Sequence, residues 1–483
     1  MSTPLSKNQL FINNRMIAAI SGDSLPVIDP STGSTIGSIA RGAAADIDKA
    51  VSAARKTFET TWGKTNAVER GRLMMRWSQL VLIHAEELAQ LESHDTGKPL
   101  KQARADSIAL ARYFEFYAGA ADKLHGQTIP YQNGYTVLTI REAHGVTGHI
   151  IPWNYPMQIF GRSVGASLAV GNATVVKPAE DACISLLRVA ELAAEAGFPE
   201  GALNIVTGLG NEAGQALTQH PGVDHISFTG STGTGAKVAT AAAQHHCPVT
   251  LELGGKSPQL VFADADIDAA IPVLVNAIIQ NAGQTCSAGS RVLIEQSIYD
   301  EVLNRLASKF SALVAAPAQQ DQDLGPLVSK VQQQRVWDYL SDAHTAGLEF
   351  AAEGSVAEGA PQNGFYQAPV LLTKVPSSDK LFQEEIFGPV LVATPFRDEA
   401  HGLALANATK YGLVAGIWTR DGSRQMRLAR SIRSGQVFIN NYGAGGGVEL
   451  PFGGVGQSGY GREKGFEALY SFTALKTIAI KHD

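Results

Sequence analysis

The sequence predicts an α/β protein built on doubly wound parallel sheets, with a smaller β element attached. Three observations carry this prediction. From Val146 to Leu253, short apolar strands alternate with helices, and the strands run into glycine or proline. After Gly254 the alternation restarts with LVF, a helix over 266–282, the strand RVLIE and a helix over 298–315. Two segments fall outside it, a hairpin-like stretch near 125–143 and a terminal strand in ALKTIAIKHD. A length of 483 residues fits about three domains.

In chain order, residues 43–60 carry apolar groups at helical spacing, and 67–95 and 99–120 read as two further long helices. Between Gly126 and Glu142, Asn133-Gly134 is a hairpin signal flanked by Tyr135, Val137 and Ile140. Such a ribbon projects from the body and needs a partner. VTGHII then leads into the PWNYP turn and a helix rich in small residues, and ATVVKP is a buried strand ended by Pro178. Residues 181–196 read as an amphipathic helix capped by Asp181 and stopped at Gly197. LNIVTG, HISFTG and VTLELGG follow as strands.

Composition narrows the function classes. Hydrophobic residues make up 45% and charged residues 17% of the chain, which predicts a large buried core and excludes disorder as the main state. A net charge of −6 argues against nucleic acid or an anionic membrane as partner. Three dispersed cysteines, Cys183, Cys247 and Cys286, form neither a disulfide scaffold nor a paired zinc motif, so no metal is expected. No apolar run is long enough to span a membrane and no signal-peptide pattern opens the chain, so a cytoplasmic protein is expected and the Asn172 and Asn407 sequons are chance matches.

Five features carry chemistry. Cys286 lies in NAGQTCSAGSRV, a small-residue loop between helix and strand where a ligand can approach; the alternative is a core cysteine, which also suits Cys183 and Cys247. Glu252 stands inside an apolar strand before a glycine pair, as a general base with a raised pKa or as a carboxylate that caps the next helix or pairs with Lys256. ISFTGSTGTGAK, residues 226–237, is a strand, a Gly/Ser/Thr loop and a helix start suited to a phosphate; Ala236 stands where a nucleotide P-loop needs Lys, so an ATPase is excluded. In TVVKPAE, Lys177 and Glu180 either hold a ribose at a sheet edge or form a surface ion pair. Asn154, in a turn stiffened by Pro152 and Pro156, is an oxyanion donor or an Asx-turn residue.

PWNYP, KPAE, FTGST, LELGGKSP, GQTC, EEIFGP and PFGGVGQSGYGRE occur in that order. Over essentially the full chain this resembles the NAD(P)-dependent aldehyde dehydrogenase superfamily of the hydrolytic, non-CoA-acylating type. The resemblance implies an NAD-binding Rossmann-like domain (1–124 and 144–252), an α/β catalytic domain (253–452) and oligomerisation segments (125–143 and 453–483). It implies an oxidoreductase that converts an aldehyde to an acid, with NAD as cofactor, NADP as alternative, and a homodimer or homotetramer as assembly.

Residue by residue, the resemblance implies Cys286 as nucleophile, Asn154 as oxyanion donor and Glu252 as the base that activates water. It implies cofactor contacts from Ile151, Trp153, Lys177, Glu180, Gly230, Ser231, Leu253, Glu385 and Phe387. The substrate tunnel would take Tyr155, Ile159, Arg162, Gln280, Thr285, Ser287 and the loose run YGAGGGVE. Succinate-semialdehyde dehydrogenases resemble this chain in having Arg at position 162, yet their second Arg falls on Gln280 here, so half of a carboxylate clamp is missing. A broad aliphatic or aromatic aldehyde is therefore the expected substrate, and a carboxylated semialdehyde the alternative. CoA-acylating relatives lack the base, and Glu252 speaks against that reading; Cys286, Glu252 and Asn154 together speak against a non-catalytic, lens-type member.

Overall fold

The structure, a computed structural model, describes residues 8–443 and 447–482. Two large sheets organise it. The first has eight strands in the order Arg15–Ile17, Leu10–Ile12, Leu203–Ile205, Ala173–Pro178, Val146–Ile151, His225–Thr229, Val249–Glu252 and Gly459–Tyr460. The five from Leu203–Ile205 to Val249–Glu252 run parallel and the outer ones antiparallel. The chain winds outward both ways from Val146–Ile151, which makes a topological switch point beside His225–Thr229. The second sheet has seven strands, in the order Glu349–Glu353, Val370–Thr373, Val390–Phe396, Arg291–Glu295, Pro258–Val261, Val414–Trp418 and Gln436–Ile439. Each sheet is sandwiched by helices over its own apolar core, as parallel strands require.

The helices Ala44–Thr60 and Leu100–Ala120 lie where their apolar spacing predicts. The stretch 67–95 is two helices instead of one, Ala67–Ile83 and Ala85–Thr96, because His84 leaves helical geometry at φ −99° and ψ 15°. Asp181 does not cap the next amphipathic helix. That helix begins at Ile184, and the Asp95 carboxylate, from a distant helix, accepts the Ile184 N–H at 2.9 Å. Gly197 ends the helix in the left-handed region at φ 94°, the stop that its sequence signals.

The Asn133-Gly134 turn does not close a two-residue hairpin. Thr128–Ile129 pairs only with Val137 and Leu138, leaving residues 130–136 as the connection. The ribbon strand Tyr135–Ala143 finds its main partner in the same chain, Thr473–Lys481, over nine paired positions. The segment from residue 453 onward also reaches the first sheet and its core. Gly459–Tyr460 extends the first sheet, and Ala468, Leu469 and Phe472 are buried in the first core. Residues 444–446, the centre of the glycine run, lie outside the described residues. No helix among the described residues is long and apolar enough to cross a membrane.

Candidate active site

Four strands of the first sheet end in register on one edge. Ile151 faces Pro178, Ile150 faces Lys177, Phe228 faces Ile150 and Thr229 faces Glu252. The carboxyl ends at a switch point are where a doubly wound sheet takes its ligand. From the facing side, the loop bearing Cys286 precedes Arg291–Glu295, and the loop bearing Glu385 and Phe387 precedes its parallel neighbour Val390–Phe396. Between them lies a cleft of about 270 Å³, lined by Trp153, Asn154, Gly230, Ser231, Glu252, Leu253, Glu385, Phe387 and Cys286 among others. A smaller cavity of about 40 Å³ meets it at Asn154 and Cys286, lined by Tyr155, Gln158, Ile159, Arg162, Gln280, Thr285, Ser287 and Phe452.

Cys286 is the half-buried thiol, while Cys183 and Cys247 are buried in core surroundings. Burial pushes the Cys286 thiol up to about 12; the Arg162 guanidinium pulls it down, and Glu385 and Glu252 add to the rise. The thiol therefore holds its proton at rest. Asn154 is buried and its Nδ2 donates to the Gln284 carbonyl at 3.0 Å, which fixes its amide beside the Cys286 loop.

Glu252 is 1% exposed, and neither carboxylate oxygen has a hydrogen-bond partner. Burial holds its carboxyl well above the usual carboxylate range, with Glu463 adding to the shift and Arg162 and Arg462 opposing it. Pairing with Lys256 is not formed, since the Lys256 Nζ also lacks a partner. The Glu252 side chain lies against bare backbone. A Cβ on Gly453, at φ 156°, would stand 2.8 Å from its Oε1, so only glycine fits there.

On the other wall, Glu385 Oε1 accepts the Gly255 N–H at 2.9 Å, and burial raises its carboxyl to about 7. A side chain on Gly254 would collide with this carboxylate, which leaves the cleft floor open. Phe387 has φ 65° and meets Trp153 edge-on, with ring centroids 5.4 Å apart. Gly230 N donates to the Glu252 carbonyl at 3.0 Å, and Ser231 caps the helix Thr232–Ala243 by accepting from the Thr234 N–H. Leu253 is held by Ser458, whose carbonyl accepts its N–H at 3.1 Å, and Ile151 O accepts from Ala179 N at 2.7 Å. Lys177 is buried with its Nζ 2.9 Å from Glu180 Oε2, at the strand end next to the cleft. Beyond it, a hollow of about 530 Å³ opens between residues 210–219 and the helix Thr232–Ala243.

Arg162 faces the small cavity, but its charge is engaged. Its Nε pairs with Glu463, its Nη2 donates to Thr229 Oγ1 at 3.4 Å, and its guanidinium stacks 4.9 Å over Phe452. Tyr155 and Thr285 join hydroxyls at 3.0 Å, and the Ser287 carbonyl accepts from Tyr442 at 2.6 Å. Sequence reasoning gave no role to Glu463, although PFGGVGQSGYGRE contains it, nor to Phe452. It also missed Gln332 and Arg335, which enter the cleft from the helix Lys330–Thr345. Gln332 donates to Phe387 O at 2.7 Å and Arg335 to Glu385 O at 2.6 Å. Their i, i+3 spacing in a polar helix was the available signal, and most solvated helices show it.

Residues 17–478 match the aldehyde dehydrogenase family. The chain belongs to that family. Aldehyde dehydrogenase PuuC of Escherichia coli, named as NADP/NAD-dependent, is 41% identical over 98% of this chain and 96% of its own length. A solved structure from Burkholderia cenocepacia, provisionally named an aldehyde dehydrogenase, is 68% identical over 98% of this chain and all of its own, with a TM-score of 0.98. PnpE in complex with nicotinamide adenine dinucleotide is 40% identical over 99% of this chain and 98% of its own, with a TM-score of 0.96. The aldehyde dehydrogenase described here is thus an aldehyde-oxidising oxidoreductase with the α/β fold of its relatives.

Proposed function

We propose that this aldehyde dehydrogenase oxidises a neutral aldehyde to the carboxylic acid with NAD, through a covalent adduct on Cys286. One observation carries the reading: Cys286 stands where the large cleft, which Asn154 and Glu252 also line, meets the small cavity. The Cys286 thiol gives up its proton to solvent, and the thiolate adds to the aldehyde carbon and gives a thiohemiacetal oxyanion. The Asn154 amide and the Cys286 N–H face that oxyanion, in a site where preformed donors act strongly. Trp153, Glu385 and Phe387 would hold the nicotinamide, which when bound would supply the hydride acceptor that lets the adduct become a thioester. Glu252 takes a proton from water, the hydroxide attacks the thioester, and the acid leaves as Cys286 regains its thiol. Burial raises the Glu252 carboxyl, which makes it the stronger base toward that proton.

The cleft suits a dinucleotide. Gly254 leaves the floor open beside Glu385, Trp153 and Phe387 offer ring edges, and the Ser231-capped helix turns its N-terminus toward the cleft. Lys177 and Glu180 would hold the adenosine ribose next to the larger hollow, and Ile151, Gly230 and Leu253 would line the path between. NADP is the alternative cofactor.

A broad aliphatic or aromatic range is the substrate reading. The small cavity joins Ile159 and Phe452 to amide and hydroxyl groups, and its guanidinium, Arg162, is already paired. A carboxylated semialdehyde is the second reading. The domain division is proposed as 1–124 with 144–252, then 253–452, then 125–143 with 453–483. The exposed Leu475 and Ile480 on that strand support a homodimer or homotetramer. NADH formation on adding a simple aldehyde tests the reaction, with and without CoA. Turnover independent of CoA and lost in Cys286→Ala is expected; turnover by that variant would overturn the mechanism.

A further inference from the structure

The loop that carries Cys286 leaves the helix Ile267–Ile279 through three consecutive left-handed residues. Asn281, Ala282 and Gly283 have φ of 49°, 53° and 75°. Two of the three carry side chains, a conformation that persists only where surrounding contacts over-determine it. At Gly283 a side chain would collide with the Gly388 carbonyl.

Asn281 supplies those contacts. Its side chain is buried, and Nδ2 donates to two backbone carbonyls, Asn154 O at 2.9 Å and Gln284 O at 3.4 Å. Its own N–H donates to Gln102 Oε1 at 3.0 Å. Asn154 Nδ2 also donates to the Gln284 carbonyl. An amide nitrogen has two hydrogens. With one directed to Gln284, the plane of the Asn154 amide is set and the second hydrogen is left for a ligand. Gln284 is locked in turn by Asn281 O at 3.0 Å and by the Val328 N–H at 2.9 Å.

We infer that Asn281 is a positioning residue for the oxyanion site: its carboxamide ties the segment bearing Asn154 to the segment bearing Cys286, and so sets the distance between the two oxyanion donors. The inference rests on the reading of Cys286 as nucleophile and Asn154 as oxyanion donor. Asn281 touches neither aldehyde nor cofactor. Asp has the same shape but would turn an acceptor toward two carbonyl oxygens, and Gly keeps the left-handed backbone while removing the amide.

The experiment compares Asn281→Gly, Asn281→Asp and Ala282→Gly with the parent enzyme, with Cys286→Ala and Asn154→Ala alongside. Both Asn281 variants are expected to lose kcat about ten- to a hundredfold, as a displaced donor would cause. KM for the aldehyde, Kd for NAD and the rate of Cys286 alkylation stay close to the parent's. A deuterium isotope effect on kcat with C1-deuterated aldehyde should appear or grow, because hydride departure from a poorly held oxyanion then limits turnover. Ala282→Gly keeps the carboxamide and should retain kcat. Parent-like kcat in Asn281→Gly overturns the inference, as does an equal loss in Ala282→Gly or failure of both Asn281 variants to fold. Retained activity in Cys286→Ala or Asn154→Ala would instead overturn the underlying mechanism.

Discussion

Replacing Arg162 by Leu separates two meanings of a cation beside the aldehyde cavity. If Arg162 waits for a substrate carboxylate, only carboxylated aldehydes suffer. The structure favours another outcome, because the guanidinium already pairs with Glu463, a side chain wholly out of solvent whose other oxygen accepts from Ser227 Oγ at 2.8 Å. Removing one partner of a buried pair leaves the other charged and unpaired, and stability should fall by about 3–5 kcal/mol. Arg162 is also the leading influence that lowers the Cys286 thiol and one of two that lower Glu252. Without it both groups hold their protons more tightly. Each group then presents less of its active anion, since the cation that favours the charged form is gone. The expected loss in kcat/KM is about ten- to a hundredfold, equal for propanal and succinic semialdehyde within about threefold. The assay is kcat/KM for both aldehydes in parent and variant, with urea midpoints measured in parallel. A loss confined to the semialdehyde, worth about 2–5 kcal/mol relative to propanal, would refute this account and restore the clamp.

Five further outcomes are expected. Cys183→Ala and Cys247→Ala should keep turnover, and alkylation of Cys286 should accelerate about tenfold per pH unit from pH 7 to 10, because a thiol pushed up to about 12 is protonated throughout that range; a flat profile would refute this. Glu252→Gln should give a burst of NADH and then a slow steady state, since an amide cannot take a proton from water; stopped-flow absorbance checks it, and full steady-state activity would remove Glu252 from deacylation. NAD should be preferred to NADP because Glu180 opposes a 2′-phosphate, and a ratio of kcat/KM favouring NADP counts against it. Burial lowers His149 from 6.5 to about 3, so the unfolded chain gains its proton first and stability drops as pH falls below 6.5. At pH 5 this removes about 2 kcal/mol, and His149→Asn should show a correspondingly smaller fall in Tm between pH 7 and 5.

Much of the fold was legible because its signals are local. Apolar runs ending in glycine mark the parallel strands, and Gly197 stops its helix through its own backbone geometry. The failures were non-local. Asp181 precedes its helix like a cap, but the acceptor that reaches the Ile184 N–H is Asp95, from elsewhere in the chain. Asn133-Gly134 reads as a hairpin, but the strand after it gains far more pairing from residues 473–481. The site shows the same division. Cys286, Asn154 and Glu252 stood out by their loops and their odd placement among apolar neighbours. Glu463 did not, because its importance lies in the ion pair with Arg162, a contact across the fold. Arg162 itself could not be interpreted until that partner was found.

One segment late in the sequence closes both the first sheet and the charge pair beside the small cavity. Gly459–Tyr460 covers the edge of Val249–Glu252, Phe472 enters the first core, and Glu463 arrives with them. During synthesis, Arg162 therefore sits in a forming core without its counter-ion while the neighbouring strand edge stays open. Pairings between chain ends are slow to form, and open edges invite pairing with other chains. A nascent chain that stops short of residue 459 is thus sticky and chemically incomplete at once. The same segment thus completes the sheet and neutralises the buried guanidinium, so edge protection and charge balance depend on one stretch of chain.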